Sequence, residues 1–138
     1  MLIIPDASVL LKWVLPRQHE DSVEQALAIA KGFADNHIRL LLPTLWVYEV
    51  GNVLALKQPA IAEEQLLRLR QMVMPEVTPN EQTIREAIRL VADKRVSFYD
   101  AIYHAIAIAS QGIFVTADDK YVRAVGEGPH VMLLAAWK

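Results

Sequence analysis

The sequence predicts an α/β fold built on a central parallel β-sheet with helices on both faces. Three observations carry this expectation. Short apolar runs that read as strands alternate with longer segments of helical periodicity, and some strands are separated by two helices. Hydrophobic residues make up 54% of the 138, a share that suits a sheet buried on both faces. Two of the strand-like runs lead directly into an acidic residue, at the sheet edge where open α/β folds build their sites.

Taken in order, Leu2 to Ile4 reads as a short buried strand that runs into Asp6 and a second apolar run, "ASVLLKW". Ser22 starts a helix whose apolar positions Val23, Ala26, Leu27, Ala30 and Phe33 follow helical spacing. Arg39 to Leu42 is expected as one strand closed by Pro43, with Thr44 capping a helix from Leu45 to Lys57 that ends before Pro59. "AEEQLLRLRQMVM" is an amphipathic helix stopped by Pro75, and Val77 belongs to a very short strand. Asn80 caps the next helix, with Ile84, Ala87, Ile88 and Val91 expected on its inner face. "SFYDAIYHAIAIASQG" is apolar on nearly every side, as a helix buried between layers would be, and Gly112 ends it. "IFVT" is a strand, "DDKYVRAVG" a short helix and "VMLLAA" a final strand. No linker or internal repeat interrupts the pattern, so residues 1–138 are expected to form one domain.

Composition narrows the function classes. No apolar run reaches the ~18 residues of a membrane span, and "MLIIPDAS" lacks the basic segment and cleavage pattern of a signal peptide. There is no cysteine, hence no disulfide framework and no thiolate metal site. A cytoplasmic protein is expected. The net charge of −2 gives no global pull toward nucleic acid, although 14 Lys and Arg residues leave room for a local basic face.

Four acids stand in apolar surroundings: Asp6, Glu49, Asp100 and Asp118. Each has a structural alternative. Asp6 and Asp118 suit strand-end turns or helix caps, and Ser97 with Asp100 fits a capping box. Glu49 would be an ordinary exposed helix position, except that Trp46, Val47, Val50 and Val53 surround it at spacings that share its face. Together they argue differently, because Asp6, Asp118 and the first turn holding Asp100 all belong to one edge of a parallel sheet. Like charges converging in a partly desolvated pocket need a neutralising cation. Carboxylates without His or Cys favour hard ions, Mg²⁺ or Mn²⁺, and that set suits metal-assisted phosphodiester hydrolysis.

"DASVLLKW" with Asp6, "YEVGNVL" with Glu49 and Asn52, "SFYDAIYHAIA" with Asp100 and "FVTADDKYVRA" with Thr116 and Asp118 resemble the four signature segments of PIN-domain ribonucleases. The likeness is greatest to the VapC-type toxins of toxin–antitoxin pairs and covers nearly the whole chain in order. It implies a three-layer α/β/α fold, Mg²⁺- or Mn²⁺-dependent endonucleolytic cleavage of RNA, a homodimer, and neutralisation by a small antitoxin protein. Residue by residue, it implies that Asp6, Glu49, Asp100 and Asp118 are catalytic, metal-binding acids. Ser8 and Thr116 match small hydroxyl positions that orient carboxylates or hold water, and Asn52 a polar position beside the acids. In "ADD" the family spacing selects Asp118, two residues after the Thr, and leaves Asp119 as a supporting or capping residue. Pro5 before Asp6 departs mildly from the family's usual aliphatic residue.

Elsewhere the chemistry is thin. His19, His37, His104 and His130 form no zinc-like pair, and His104 reads as a polar member of a buried helix. Trp13, Trp46 and Trp137 read as core or interface. Lys12, Lys57, Arg95, Lys120 and Arg123 are the candidates for RNA phosphate contacts, Lys120 and Arg123 foremost because they follow Asp118 directly, with Lys12 beside them. "LLRLRQMVM" is expected to supply apolar surface for the dimer and the antitoxin. A receiver-like phosphoacceptor would need paired acids after the first strand, and a haloacid-dehalogenase-like phosphatase would need Asp where Ser8 stands. The remaining alternative is a catalytically silent PIN scaffold that only binds.

Overall fold

Pairing of the short apolar strands decides the architecture. The computed structural model describes residues 1–17 and 20–138; His19 lies outside them. Strands β1 (Leu2–Pro5), β2 (Arg39–Leu40), β5 (Ile113–Thr116) and β6 (Val131–Leu133) form one sheet in the order β2-β1-β5-β6, every pair parallel. Neighbouring side chains of a strand point to opposite faces. Ile3 and Ile4 of β1 are both 0% exposed, and Phe114 and Val115 of β5 are 1% and 0%, so both faces of the sheet are covered.

The covering comes from seven α-helices among the described residues: α1 (Ala7–Val14), α2 (Val23–Ala34), α3 (Leu45–Lys57), α4 (Ala62–Gln71), α5 (Glu81–Lys94), α6 (Phe98–Ser110) and α7 (Asp119–Val125). α1 and α6 pack directly on β1 and β5, and α5 lies along α6. As its all-round apolar sequence predicts, α6 is buried from Ala101 to Ala107. Trp46 belongs to the core, Trp13 donates to the Ala26 carbonyl at 2.7 Å, and Trp137 packs against the core's edge. Asn80 caps α5 through Thr83 N–H, as expected.

Several local expectations are corrected. The apolar run after Asp6, for which the sequence predicts no element, forms a helix, α1. The expected strand Arg39–Leu42 is two. β2 stays on β1, while β3 (Leu42–Pro43) leaves the main sheet and pairs in parallel with β4 (Glu76–Val77). Pro43 has no N–H for the main ladder, and the chain changes sheets one residue before it. Neither Ser22 nor Thr44 makes a side-chain cap. Ile84 and Ile88 are not inward but 43% and 55% exposed; Thr83 and Ala87 hold the inner face of α5. Gln111, at φ 61, takes the left-handed position ending α6. Gly112 is needed for another reason: a Cβ there would lie 2.6 Å from Ile4 Cδ1 and 3.0 Å from the Leu2 carbonyl oxygen. The last strand stops at Leu133, and Leu134–Ala136 forms a 3-10 turn.

Candidate active site

The strand order contains one reversal. From β1 the chain leads to β2 on one side, and from β5 it leads to β6 on the other. Such a switch point opens a crevice at the carboxyl ends of the two strands, where ligands bind in open α/β sheets. Asp6 follows β1 and Asp118 lies two residues after β5, so both carboxylates stand at this crevice.

Asp6 is 6% exposed and held from two sides. Ser8 Oγ donates to its Oδ2 at 2.7 Å, and Thr116 Oγ1, from the neighbouring strand, donates to the same oxygen at 2.9 Å. Both hydroxyls also accept from backbone: Ser8 Oγ from Ala117 N–H at 3.1 Å, Thr116 Oγ1 from Asp118 N–H at 3.0 Å. The two small hydroxyl residues thus lock the loop after β5 to the loop after β1. Burial pushes the Asp6 carboxyl above its ordinary value; the Ser8 and Thr116 hydroxyls pull it back, and the charge of Asp100 pushes it up again.

Asp100 sits in the first turn of α6, whose N-cap Ser97 accepts from the Asp100 N–H at 3.1 Å. That is the Ser97 half of the expected capping box. Burial, and then the charge of Asp118, raise the Asp100 carboxyl. Glu49 projects from α3, where the Tyr103 hydroxyl donates to its Oε1 at 2.7 Å. Burial first, then the charges of Asp6 and Asp100, push Glu49 up to about 7 despite that hydrogen bond. Asp118 is itself the cap of α7, its Oδ1 accepting from Tyr121 N–H at 3.2 Å. Capping and membership of the acid group therefore coincide there.

The four acids repel one another, yet among the described residues none has a Lys or Arg within ion-pair distance. Uncompensated hard oxygen donors of this kind fit a divalent cation. They do not form a closed cage: among the described residues no three Asp, Glu or His side chains are gathered as a ready ligand cluster. An open arrangement matches Mg²⁺, which keeps several waters and takes only one or two carboxylates from the protein.

A cleft of about 270 Å³ opens beside Asp100 and Asp118, lined also by Arg95, Ser97, Lys120 and Tyr121. On the Glu49 side a shallow depression is lined by Leu45, Tyr48, Asn52 and Tyr99, where Asn52 shares the surface with Glu49. Asp119 does not: it is paired with Arg123 at 2.9 Å and lines a separate depression with Lys12 and Ser22. The capping role expected of Asp119 belongs to Asp118. Lys12 is engaged by Glu20 at 3.1 Å with its side chain only 10% exposed. Of the five basic candidates, Lys120 and Arg95 line the acid cleft.

Sequence reasoning passed over two tyrosines. Tyr103 is buried and orients Glu49. Tyr121 lines the cleft while its hydroxyl shares a 2.9 Å hydrogen bond with His104 Nδ1. Burial lowers the His104 imidazole to about 4, with His130 adding to the effect, and burial pushes the Tyr121 phenol up. Both are therefore neutral near pH 7. The one signal available was a tyrosine placed in otherwise apolar helix sequence, whose hydroxyl needs a partner once buried.

No helix is long and apolar enough to cross a membrane among the described residues. No curated protein matches the sequence. Solved structures do match. PAE2754 from Pyrobaculum aerophilum is similar with a TM-score of 0.67 at 21% identity, over 98% of this chain and 90% of that one. VapBC2 from Rickettsia felis, bound to a DNA fragment from their promoter, gives 0.66 at 14% identity, over 96% and 97%. FitAB bound to the IR36 DNA fragment gives 0.68 at 15% identity, over 99% and 96%. At these identities the likeness speaks for the fold. The sequence profile of the PIN domain matches residues 3–127, which is most of the chain, and with this match the chain belongs to the PIN domain family.

Proposed function

We propose that this protein is a Mg²⁺- or Mn²⁺-dependent endoribonuclease, the toxin of a toxin–antitoxin pair acting in the cytoplasm as one PIN-like domain. PIN domains are generally nucleases, and VapBC and FitAB are among this chain's structural neighbours. The observation that carries the finer reading is the acid group at the β1/β5 switch point, three of whose carboxyls are raised by burial and mutual repulsion. In this reading Asp6, Glu49, Asp100 and Asp118 surround the cation, one or two of them binding it directly and the others through its waters. It supplies positive charge against the phosphate and makes a water more acidic. Ser8 and Thr116 fix Oδ2 of Asp6 and leave its other oxygen without a hydroxyl donor. Tyr103 fixes one oxygen of Glu49 and leaves Oε2 to accept. Asp118 keeps its place because its Oδ1 is tied to the start of α7.

The partner reading rests on exposed apolar surface. Ile84 and Ile88 on α5, with Phe98 and Tyr99 at the start of α6, are 40–61% exposed and suit a homodimer contact. Leu67 and Val73, 54% and 80% exposed in and just after α4, suit an apolar antitoxin segment.

The test is incubation of the purified protein with RNA in Mg²⁺ or Mn²⁺, and in EDTA, followed by mapping of the ends. Internal cleavage that requires the metal is expected. Equal cleavage in EDTA, or none in either ion, overturns the reading and in the second case leaves a silent binding scaffold.

A further inference from the structure

Arg95 joins the end of α5 to the acid cleft. It ends α5 in the left-handed conformation, φ 55 and ψ 43, where glycine or asparagine carries the least strain. A cation at a helix C-terminus favours the dipole, but Lys94, one residue earlier, already supplies that charge. The side chain of Arg95 lines the cleft of about 270 Å³ that also holds Asp100, Asp118 and Lys120. Neither Arg95 nor Lys120 has an acidic partner within ion-pair distance among the described residues, although two carboxylates share their cleft. Five of the arginines outside this cleft do find carboxylates: Arg68 with Glu64, Arg70 with Glu76, Arg85 with Glu81, Arg89 with Glu86 and Arg123 with Asp119.

We infer that Arg95 and Lys120 form a phosphate subsite, which holds a backbone phosphate of the nucleic acid next to the one at the acid group. The inference rests on the nuclease reading for the identity of the phosphate. The chemistry is complementary: the acids draw a cation to the reacting phosphate, and two unpaired cations in the same cleft draw the neighbouring one. Arginine gives a planar fork that suits phosphate oxygens, and lysine gives a point charge. Gln111 takes the same left-handed position at the end of α6, so it is the shared cleft and the missing carboxylate partners that mark Arg95 and Lys120.

The strain makes the test discriminating. Arg95→Gly removes the guanidinium and relieves the backbone, so a structural role and a binding role predict opposite results. Binding of a labelled single-stranded RNA oligonucleotide is followed by fluorescence anisotropy in EDTA, across a salt series, for wild type, Arg95→Gly and Lys120→Ala. Each variant should bind roughly tenfold more weakly at low salt. Each should also flatten the slope of log affinity against log salt by about 0.7, the loss of one single-strand phosphate contact. The melting temperature of Arg95→Gly should hold or rise. Variants that bind with wild-type affinity and slope overturn the subsite, even if the wild type cuts RNA. A wild type that binds RNA through both residues but never cuts it supports the subsite and overturns only the nuclease reading.

Discussion

The Tyr103 hydroxyl, from the buried face of α6, donates to Glu49 Oε1 on α3 at 2.7 Å. The two lie 54 positions apart in sequence. This bond favours the ionised carboxylate against burial and against the charges of Asp6 and Asp100, which together hold Glu49 at about 7. A group poised there is sensitive to a single donor.

Tyr103→Phe should therefore raise the Glu49 carboxyl further. Metal-dependent RNA cleavage at pH 7 should fall roughly three- to tenfold and recover as the pH is raised. Stability should drop by only ~1 kcal/mol for the lost hydrogen bond. A pH–rate profile of the variant beside the wild type reads this directly; an unshifted profile would separate Tyr103 from the titration of Glu49.

The contribution of Glu49 to metal-free stability should grow on mild acidification. Glu49 has a folded value near 7 and an ordinary value of 4.5, so the folded state binds the proton first. Its contribution is fully present below 4.5 and is lost as the pH rises through about 7. Discounted for its partial exposure, the gain is about 1 kcal/mol. Thermal melts in EDTA between pH 8 and pH 5 measure it as the difference between wild type and Glu49→Gln, because His104 loses stability over the same range. Saturating Mn²⁺ should reverse its sign, since the metal needs the ionised form.

His104 works in the opposite direction. Its folded value of about 4 lies below the ordinary 6.5, so its contribution is present above 6.5 and is lost as the pH falls toward 4, by up to about 3 kcal/mol. Proton NMR of the imidazole should show a neutral ring at pH 5.5. A ring that titrates near 6.5 would mean that burial among α6, β5 and α7 does not keep it from the charged form.

Much of this architecture is legible in the sequence. The parallel sheet follows from alternation and from runs such as "IFVT", because strands buried on both faces carry no polar side. Asp6 and Asp118 are legible as strand-end acids for the same reason. What is hidden depends on packing between distant segments. Nothing in "IRLLLP" marks Leu41 as the point where the chain changes sheets. The periodicity of α5 cannot say that Ile84 and Ile88 face outward, since Thr83 and Ala87 give an equally good inner stripe. Arg95 was one of several scattered cations until α5 and α7 brought it opposite Lys120. Asp118 and Asp119 are indistinguishable as letters; hydrogen bonding to Tyr121 separates them.

Gly112→Ala should be costly out of proportion to one methyl group. The new Cβ would press on the Leu2 carbonyl, part of the β1 backbone, as well as on Ile4. Side-chain adjustment relieves only the second. A loss of about 2 kcal/mol is expected in denaturant unfolding. A change under 0.5 kcal/mol would mean that β1 and the end of α6 yield more easily than their burial implies.

The central claim is that the carboxylates at the β1/β5 switch point act together on a metal ion, and Asp100 tests it most directly because Ser97 already gives that position a structural purpose. Asp100→Asn keeps the size and the backbone N–H that Ser97 caps, and removes one negative charge. RNA cleavage in Mn²⁺ by Asp100→Asn, measured against wild type with the melting temperature of both in EDTA, is the decisive comparison. The account predicts that cleavage falls by at least about a hundredfold, that metal-free stability holds or rises as repulsion is relieved, and that stabilisation by Mn²⁺ shrinks. Near wild-type cleavage, with stability reduced by ~1 kcal/mol as for a lost cap, would contradict it.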